Sequence, residues 1–327
     1  MEALPVIDVG PLGAGGPEEA AVSRAIDDAC RRFGFFYVTG HGVPDDHQAR
    51  LDAEARSFFA LPEGAKRAVA MERGGRAWRG WFPLEGELTS GRPDRKEGFY
   101  FGAERGPTDP RVRAGIPLHG PNLFPAEVPG LRPAVLEHLE LLTALGHRLV
   151  RGLALGLGLD PGWFDRHLTA DPLVLFRIFR YPPEAEPAGG WGVAEHTDYG
   201  LLTILAQDAS GGLQVHAPGG WIEAPPIPGT FVCNLGDMLE RMTGGRYRST
   251  PHRVRNTSGG ERLSFPFFFD PGWDARVLPV PLEGEGPAEA RARWDGADPL
   301  AFDGTYGEYL LSKVGRVFPD LADDVLN

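Results

Sequence analysis

From Val174 onward the chain breaks into short apolar runs closed by turn residues: LFRIFRY, LLTILAQ, GLQV, GWIEA, GTFVCNL and RLSFPFFF. Several short strands at such close spacing point to a β-sandwich or barrel. A composition of 31 prolines and 45 glycines in 327 residues suits many short strands better than a helix bundle.

Ahead of this body the pattern is helical. Val22, Ile26, Cys30 and Phe33 recur at helical spacing over 17–33, with Gly34 as a stop. Phe35–Thr39 (FFYVT) reads as a strand, and 45–60 as a second helix capped by Asp45 or Asp46. Residues 72–132 are rich in Gly, Pro and Arg and show little periodicity, so loops with short strands such as GFYFG (98–102) are expected. The longest helix is expected over 133–155, with Pro133 near its start and Val135, Leu139, Leu142, Leu145, Leu149 and Leu153 as its apolar stripe. A closing helix is expected over 305–317. No linker-like stretch separates the parts. The expectation is one α+β domain, 1–327, with a helical and loop region over 1–130 and a β core over 174–275.

Charge narrows the partners. With Lys+Arg 33 and Asp+Glu 45 the formal charge is -12, and no basic stripe stands out, so a phosphate backbone is an unlikely partner. No stretch approaches the roughly 20 apolar residues of a membrane helix, and Met1 to Gly10 has no signal-peptide character, so a cytoplasmic location is expected. Cys30 and Cys233 each lie in an apolar segment and read as buried free thiols. Only Lys66, Lys96 and Lys313 are lysines, which reads as coding bias without mechanistic weight.

The chemically informative segment is Glu195-His196-Thr197-Asp198-Tyr199-Gly200, between a Gly/Pro/Ala-rich loop (182–192) and the strand run 202–206. In an extended chain residues i and i+2 share a face, so His196 and Asp198 project together. His252, 54 residues after Asp198, can supply a third ligand. Two histidines and one carboxylate on one face of an octahedron leave three positions open, the facial triad of non-haem Fe(II) oxygenases. His-x-Asp alone is weak, and other histidines look ordinary: His41 and His216 at turns, His138 and His147 on the exposed flank of the long helix.

In the run RLSFPFFFD, period 2 puts Arg262, Ser264, Phe268 and Asp270 on one face and Leu263, Phe265, Phe267 and Phe269 on the core face. A buried arginine there wants a planar anion, which its fork matches in bidentate fashion, and Ser264 can add a hydroxyl. Arg177, Phe179 and Tyr181 share a face of the FRIFRY strand, and Tyr181 could donate to the same carboxylate. Taken alone, an arginine at a solvent-facing strand edge is the plainer reading of Arg262.

These segments together resemble the isopenicillin N synthase-like branch of the Fe(II)/2-oxoglutarate-dependent dioxygenases. ACRRFGFFYVTGHGVP (29–44), FRYPP, HTDYGLLTIL, GLQV, GDMLERMTGGRYRSTPHRV and RLSFPFFF follow in that branch's order. The resemblance implies a jelly-roll core (a double-stranded β-helix) flanked by helices. It implies His196, Asp198 and His252 as Fe(II) ligands, and Arg262 and Ser264, assisted by Tyr181, as binders of the distal carboxylate of 2-oxoglutarate. O₂ is then the second cosubstrate, with ascorbate as a supporting reductant. The small-molecule substrate would be hydroxylated, desaturated or cyclised, with release of succinate and CO₂. One position departs: many relatives carry Asn where this chain has Phe179, which leaves a polar contact missing or taken over by Arg177 or Arg180. Asp237 is expected to be structural.

Pocket-lining candidates are Phe99, Phe101, Arg177, Trp191, Phe268 and Asp270. Arg177 and Asp270 would suit a polar or zwitterionic substrate. Isopenicillin N synthase itself, which dispenses with 2-oxoglutarate, keeps the Arg-x-Ser pair, so that pair cannot decide the cosubstrate. A non-catalytic metabolite-binding protein and a zinc hydrolase are the remaining alternatives; the complete triad argues against the first, and the lack of an additional general base against the second. Oligomeric state is not legible.

Overall fold

The computed structural model describes residues 3–89, 91–183, 191–282 and 302–317. Its strands are β1 (Val6–Asp8), β2 (Phe35–Thr39), β3 (Gly80–Phe82), β4 (Leu88–Thr89), β5 (Arg92–Pro93), β6 (Glu97–Gly102), β7 (Leu173–Tyr181), β8 (Val193–His196), β9 (Leu202–Gln207), β10 (Leu213–Ala217), β11 (Gly220–Glu223), β12 (Phe231–Leu235), β13 (His252–Val254) and β14 (Arg262–Asp270). The helices are α1 (Gly16–Arg32), α2 (Asp45–Phe59), α3 (Glu63–Arg67), α4 (Pro110–Arg113), α5 (Leu131–Gly156), α6 (Trp163–His167), α7 (Asp237–Met242) and α8 (Tyr306–Val317).

Eight strands form the major sheet in the order β1-β2-β12-β9-β14-β7-β6-β3, and β11-β10-β13-β8 form the minor one. The fold is α+β with the jelly-roll arrangement expected. β14 lies in the middle of the major sheet, hydrogen-bonded to β7 on one side and β9 on the other. Its two faces have different neighbours. Arg262, Ser264, Phe268 and Asp270 line a cavity of about 550 Å³ between the sheets. On the other face Phe269 closes on Gly146 of α5, where an added Cβ would come within 2.4 Å of the ring.

Helix α5 packs on α1 and α2 and against β7, β9 and β14. All six members of its expected stripe are buried, each worth roughly 1.5–3 kcal/mol relative to exposure. The helix starts at Leu131, so Pro133 is its third residue, where a missing N–H costs nothing. Gly34 does stop α1: its φ is 65°, and a Cβ there would fall 2.2 Å from the Arg248 carbonyl oxygen.

Several expectations need correction. The α2 cap is Pro44, in extended conformation (φ -64°, ψ 140°), and Asp45 is the first helical residue; its charge, with that of Asp46, favours the positive helix end. His138 is fully buried, its Nδ1 3.2 Å from His47 Nε2, because Phe176 of β7 covers it; burial pushes its pKa down to about 3. His147 is half-exposed and 2.8 Å from Asp165. Cys30 and Cys233 are free and buried, as expected. Of the loop 182–192, residues 184–190 lie outside the described residues. Among the described residues no helix is long and apolar enough to cross a membrane.

Candidate active site

Antiparallel pairing of β8 with β13 sets His196 directly opposite His252. Their ring centroids are 4.2 Å apart. His196 Nδ1 lies 2.8 Å from the Ala194 carbonyl oxygen and His252 Nδ1 3.2 Å from that of Thr250. A carbonyl only accepts, so each Nδ1 carries the proton and each Nε2 presents a lone pair. Both Nε2 atoms stand 3.9 Å from Asp198 Oδ1. Asp198 lies in the turn just past β8, and its other oxygen, Oδ2, accepts from Thr203 Oγ1 at 2.5 Å and Asn234 Nδ2 at 2.7 Å. Thr203 on β9 and Asn234 on β12 thus orient the carboxylate, leaving Oδ1 facing the imidazoles. The three groups lie within 4.8 Å of one another and could hold one metal ion.

Electrostatics favour the metal-binding protonation states. Burial pushes His252 down to about 4, and burial also lowers His196. For Asp198, burial acts upward, but the two imidazoles and the hydrogen bonds from Asn234 and Thr203 outweigh it and hold the carboxyl below its ordinary value. At neutral pH the cluster is two neutral imidazoles and one carboxylate, the set a divalent cation prefers.

Further along the same cavity Arg262 is fully buried. Its Nε donates to the Gly211 carbonyl at 2.6 Å, and its guanidinium stacks 4.6 Å from the Tyr181 ring centroid. Nη1 and Nη2 are buried without a hydrogen-bond partner among the described residues. Such a group is costly unless something completes it. Ser264 Oγ and Tyr181 Oη, 3.5 Å apart, stand beside it. A planar carboxylate fits this cradle, so the residues present suit both an Fe(II) ion and a 2-oxoglutarate anion.

The cavity is also lined by Phe101, Arg177, Phe268 and Asp270. Phe99 and Trp191 lie elsewhere. Phe99 pairs in register with Ile178 and packs against Phe58, at 4.4 Å; β6 brings Tyr100, opposite Arg177, to the cavity beside Phe101. Trp191 stacks under Arg253 at 4.1 Å. Arg180 does not stand in for the amide absent at Phe179, because it pairs with Glu97 and Glu261. The cation beside Phe179 is Lys96, 4.6 Å from its ring centroid. Asp237 accepts from Ser249 Oγ at 2.7 Å in the turn leading to His252.

The reading of the lysines also changes. Lys66 pairs with Glu97 at 2.8 Å, while Lys96 and Lys313 line the cavity. Lys96 is held between Glu87, at 2.9 Å, and Asp94. Burial acts against the Lys96 charge, but the two carboxylates outweigh it and raise the ammonium's pKa. Sequence reasoning does not single out Glu87, Asp94, Lys96, Tyr100, Tyr199 or Lys313; the scarcity of lysine is the one signal that points toward them.

Comparison with known proteins gives the family. Residues 4–127 match the family model for the non-haem dioxygenase N-terminal region (morphine synthesis type), and residues 171–271 match the 2OG-Fe(II) oxygenase superfamily model. The chain is 46% identical to a probable iron/ascorbate oxidoreductase of Dictyostelium discoideum, over 100% of this chain and 98% of that one. It is 35% identical to 1-aminocyclopropane-1-carboxylate oxidase of the same organism, over 98% and 96%. Among solved structures, a full-length Neurospora crassa protein in complex with α-ketoglutarate (2-oxoglutarate) and 5-formyluracil superposes with TM-score 0.77 at 27% identity, covering 98% of this chain and 96% of that one. The chain belongs to the Fe(II)/2-oxoglutarate-dependent oxygenases, in their isopenicillin N synthase-like branch, and is an oxidoreductase of small molecules.

Proposed function

We propose that His196, Asp198 and His252 hold the Fe(II), and that Arg262, with Ser264 and Tyr181, binds the distal carboxylate of 2-oxoglutarate. The observation that carries this is the convergence of three metal-ligating atoms in the same cavity as a buried guanidinium whose two terminal nitrogens have no hydrogen-bond partner among the described residues. Bound there, the iron and keto acid supply O₂ activation, in which decarboxylation to succinate and CO₂ is coupled to oxidation of the small molecule.

The chain's own residues do the rest. Thr203 and Asn234 fix Asp198; Ala194 and Thr250 fix the histidine tautomers. Arg262 sets the position and orientation of the diacid through a two-pronged contact. Phe179, Phe268, Leu205 and Pro266 make much of the wall apolar, which excludes water and strengthens the ionic contacts inside. The 1-aminocyclopropane-1-carboxylate oxidase relative and the Neurospora crassa complex with 5-formyluracil support a small polar substrate with a planar acceptor edge. We take residues 1–327 as one unit, since β1 and β2 share a sheet with β12.

The test is succinate formation by purified protein with Fe(II), ascorbate, O₂ and 2-oxoglutarate, beside an Arg262→Ala control. Succinate above background that is lost in the control supports the assignment. Tight iron binding and O₂ uptake with no succinate under any condition would transfer the chain to the oxidases that do not use the keto acid.

A further inference from the structure

The structure assigns a second anion site in the cavity: we propose that Arg177 binds a carboxylate of the prime substrate, so that the substrate class is small carboxylic acids. This rests on the reading above, in which Arg262 takes the cosubstrate.

The argument starts from which buried charges are already satisfied. Asp94 and Glu87 share Lys96 as their cation, although Glu87 Oε2, 2.9 Å from Lys96 Nζ, makes no hydrogen bond among the described residues. Lys96 contacts both carboxylates, Thr89 Oγ1 donates to Asp94 at 2.6 Å, and Tyr100 Oη donates to Glu87. Arg177 is the group left over. Its one ion pair among the described residues, Nη1 to Glu87 Oε1, is long at 3.5 Å, and that oxygen already accepts from Tyr100. Its Nε is buried without a hydrogen-bond partner among the described residues. A guanidinium has five N–H donors and no acceptor. Among the described residues most of these are uncommitted, on a side chain only 21% exposed.

Direction is fixed as well as need. The guanidinium carbon lies 4.2 Å from the Tyr100 ring centroid and 4.8 Å from that of Phe268. The two rings cover the guanidinium, so its donors are left to point in its own plane. Arg177 lines the cavity, so a group in the cavity is what they can meet. A planar anion presented edge-on completes such a fork, and a carboxylate matches it in bidentate fashion.

One diacid cannot serve both arginines. Arg177 is four residues from Tyr181 on β7, roughly 13 Å along the strand at 3.3 Å per residue. Arg262 is in register with Tyr181 and stacked on its ring, while Arg177 is in register with Tyr100 and stacked on its ring. Each guanidinium is therefore held at its own end, and in the reading above the other carboxylate of the diacid at Arg262 would be taken by the metal, which leaves the fork of Arg177 to another anion. The anion at Arg177 belongs to a different molecule in the same cavity.

The experiment uses the full chain loaded with Fe(II) and 2-oxoglutarate in air, with succinate as the readout. The probes are indole-3-acetate, 1-aminocyclopropane-1-carboxylate and L-arginine, each beside its primary amide, with thymine as a neutral planar imide. At least one acid is expected to raise succinate formation, with kcat/KM at least about tenfold above that of its amide, as removal of a charge-assisted hydrogen bond implies. Arg177→Gln should raise that acid's KM about tenfold or more and Arg177→Lys less, while calorimetry with Mn(II) in place of iron finds 2-oxoglutarate affinity within about twofold of the parent chain. The acid–amide comparison needs no variant, so a folding defect in either substitution does not remove the test. Amides as effective as acids, thymine as the best probe, an unchanged KM in Arg177→Gln, or no response to any acid while substrate-free succinate formation persists would each overturn the proposal. Absence of both 2-oxoglutarate binding and succinate in the parent chain would instead bring down the cosubstrate reading on which it rests.

Discussion

Tyr306, at the start of α8, donates its hydroxyl to Asp270 Oδ2 at 2.6 Å, and the other oxygen of Asp270 accepts the backbone N–H of Leu201 at 3.1 Å. One buried carboxyl therefore joins the closing helix to the turn that follows Asp198. Tyr306→Phe removes one of these bonds and should cost about 1–3 kcal/mol, by analogy with other buried hydrogen bonds to a carboxyl. Asp270→Ala leaves a buried hydroxyl and a buried N–H unpaired and should cost more. Equilibrium denaturation of the metal-free chain checks both; equal stability of all three proteins would show that the link does not hold the turn.

Burial pushes the Asp270 carboxyl up to about 7. A carboxyl with a raised folded-state pKa binds more protons folded than unfolded, so its contribution to stability is present below about 4 and is lost as pH rises to about 7. The stability of the parent chain relative to Asp270→Asn should fall across that window, by at most about 1.4 kcal/mol per pH unit. Denaturation curves of both proteins at pH 5 and pH 8 measure it, and a difference independent of pH contradicts it.

Gly200 is where the Asp270 carboxyl presses on the turn. A Cβ at this position would lie 1.5 Å from Asp270 Oδ1 and 2.3 Å from its Cγ. Gly200→Ala should displace the carboxyl and with it the turn after Asp198, lowering iron affinity as well as stability. An Ala variant with the parent's melting temperature and iron affinity would refute this.

Lys96 neutralises two buried carboxylates in the cavity wall. Lys96→Met should destabilise by about 3–5 kcal/mol, because Glu87 and Asp94 lose their shared cation. Adding Asp94→Asn to that variant should recover part of the loss. Urea denaturation of the single and double variants decides it; a double variant less stable than the single one would show that the network is not organised around Lys96.

How much of the fold and site is legible in the sequence follows physical lines. β7, β9 and β14 are long, apolar and close to period 2, and their runs coincide with the strands to within two residues. The His196, Asp198 and His252 set is legible by motif, but β8 and β13, which position the histidines, are only 4 and 3 residues long and too short to show a period. His138 escapes because a stripe drawn through the leucines of α5 passes it by; lying three residues after Val135 and four before Leu142, it sits on that same inner face. The wall formed by Glu87, Lys96 and Tyr100 comes from the unpatterned stretch 72–132, and Tyr100 is set opposite Arg177 by the pairing of β6 with β7. Tyr100 escapes because period 2 sets it on the face opposite Phe99 and Phe101, whereas Tyr100 and Phe101 both line the cavity and Phe99 packs on Phe58.

The central claim is that one iron is held by His196, Asp198 and His252. The direct measurement is iron stoichiometry after anaerobic equilibrium dialysis of the parent chain and of His196→Ala, Asp198→Ala and His252→Ala, with circular dichroism to confirm the fold of each. The account predicts one Fe(II) per parent chain and its loss from each folded variant. Stoichiometric iron retained by all three would place the metal elsewhere and contradict the account.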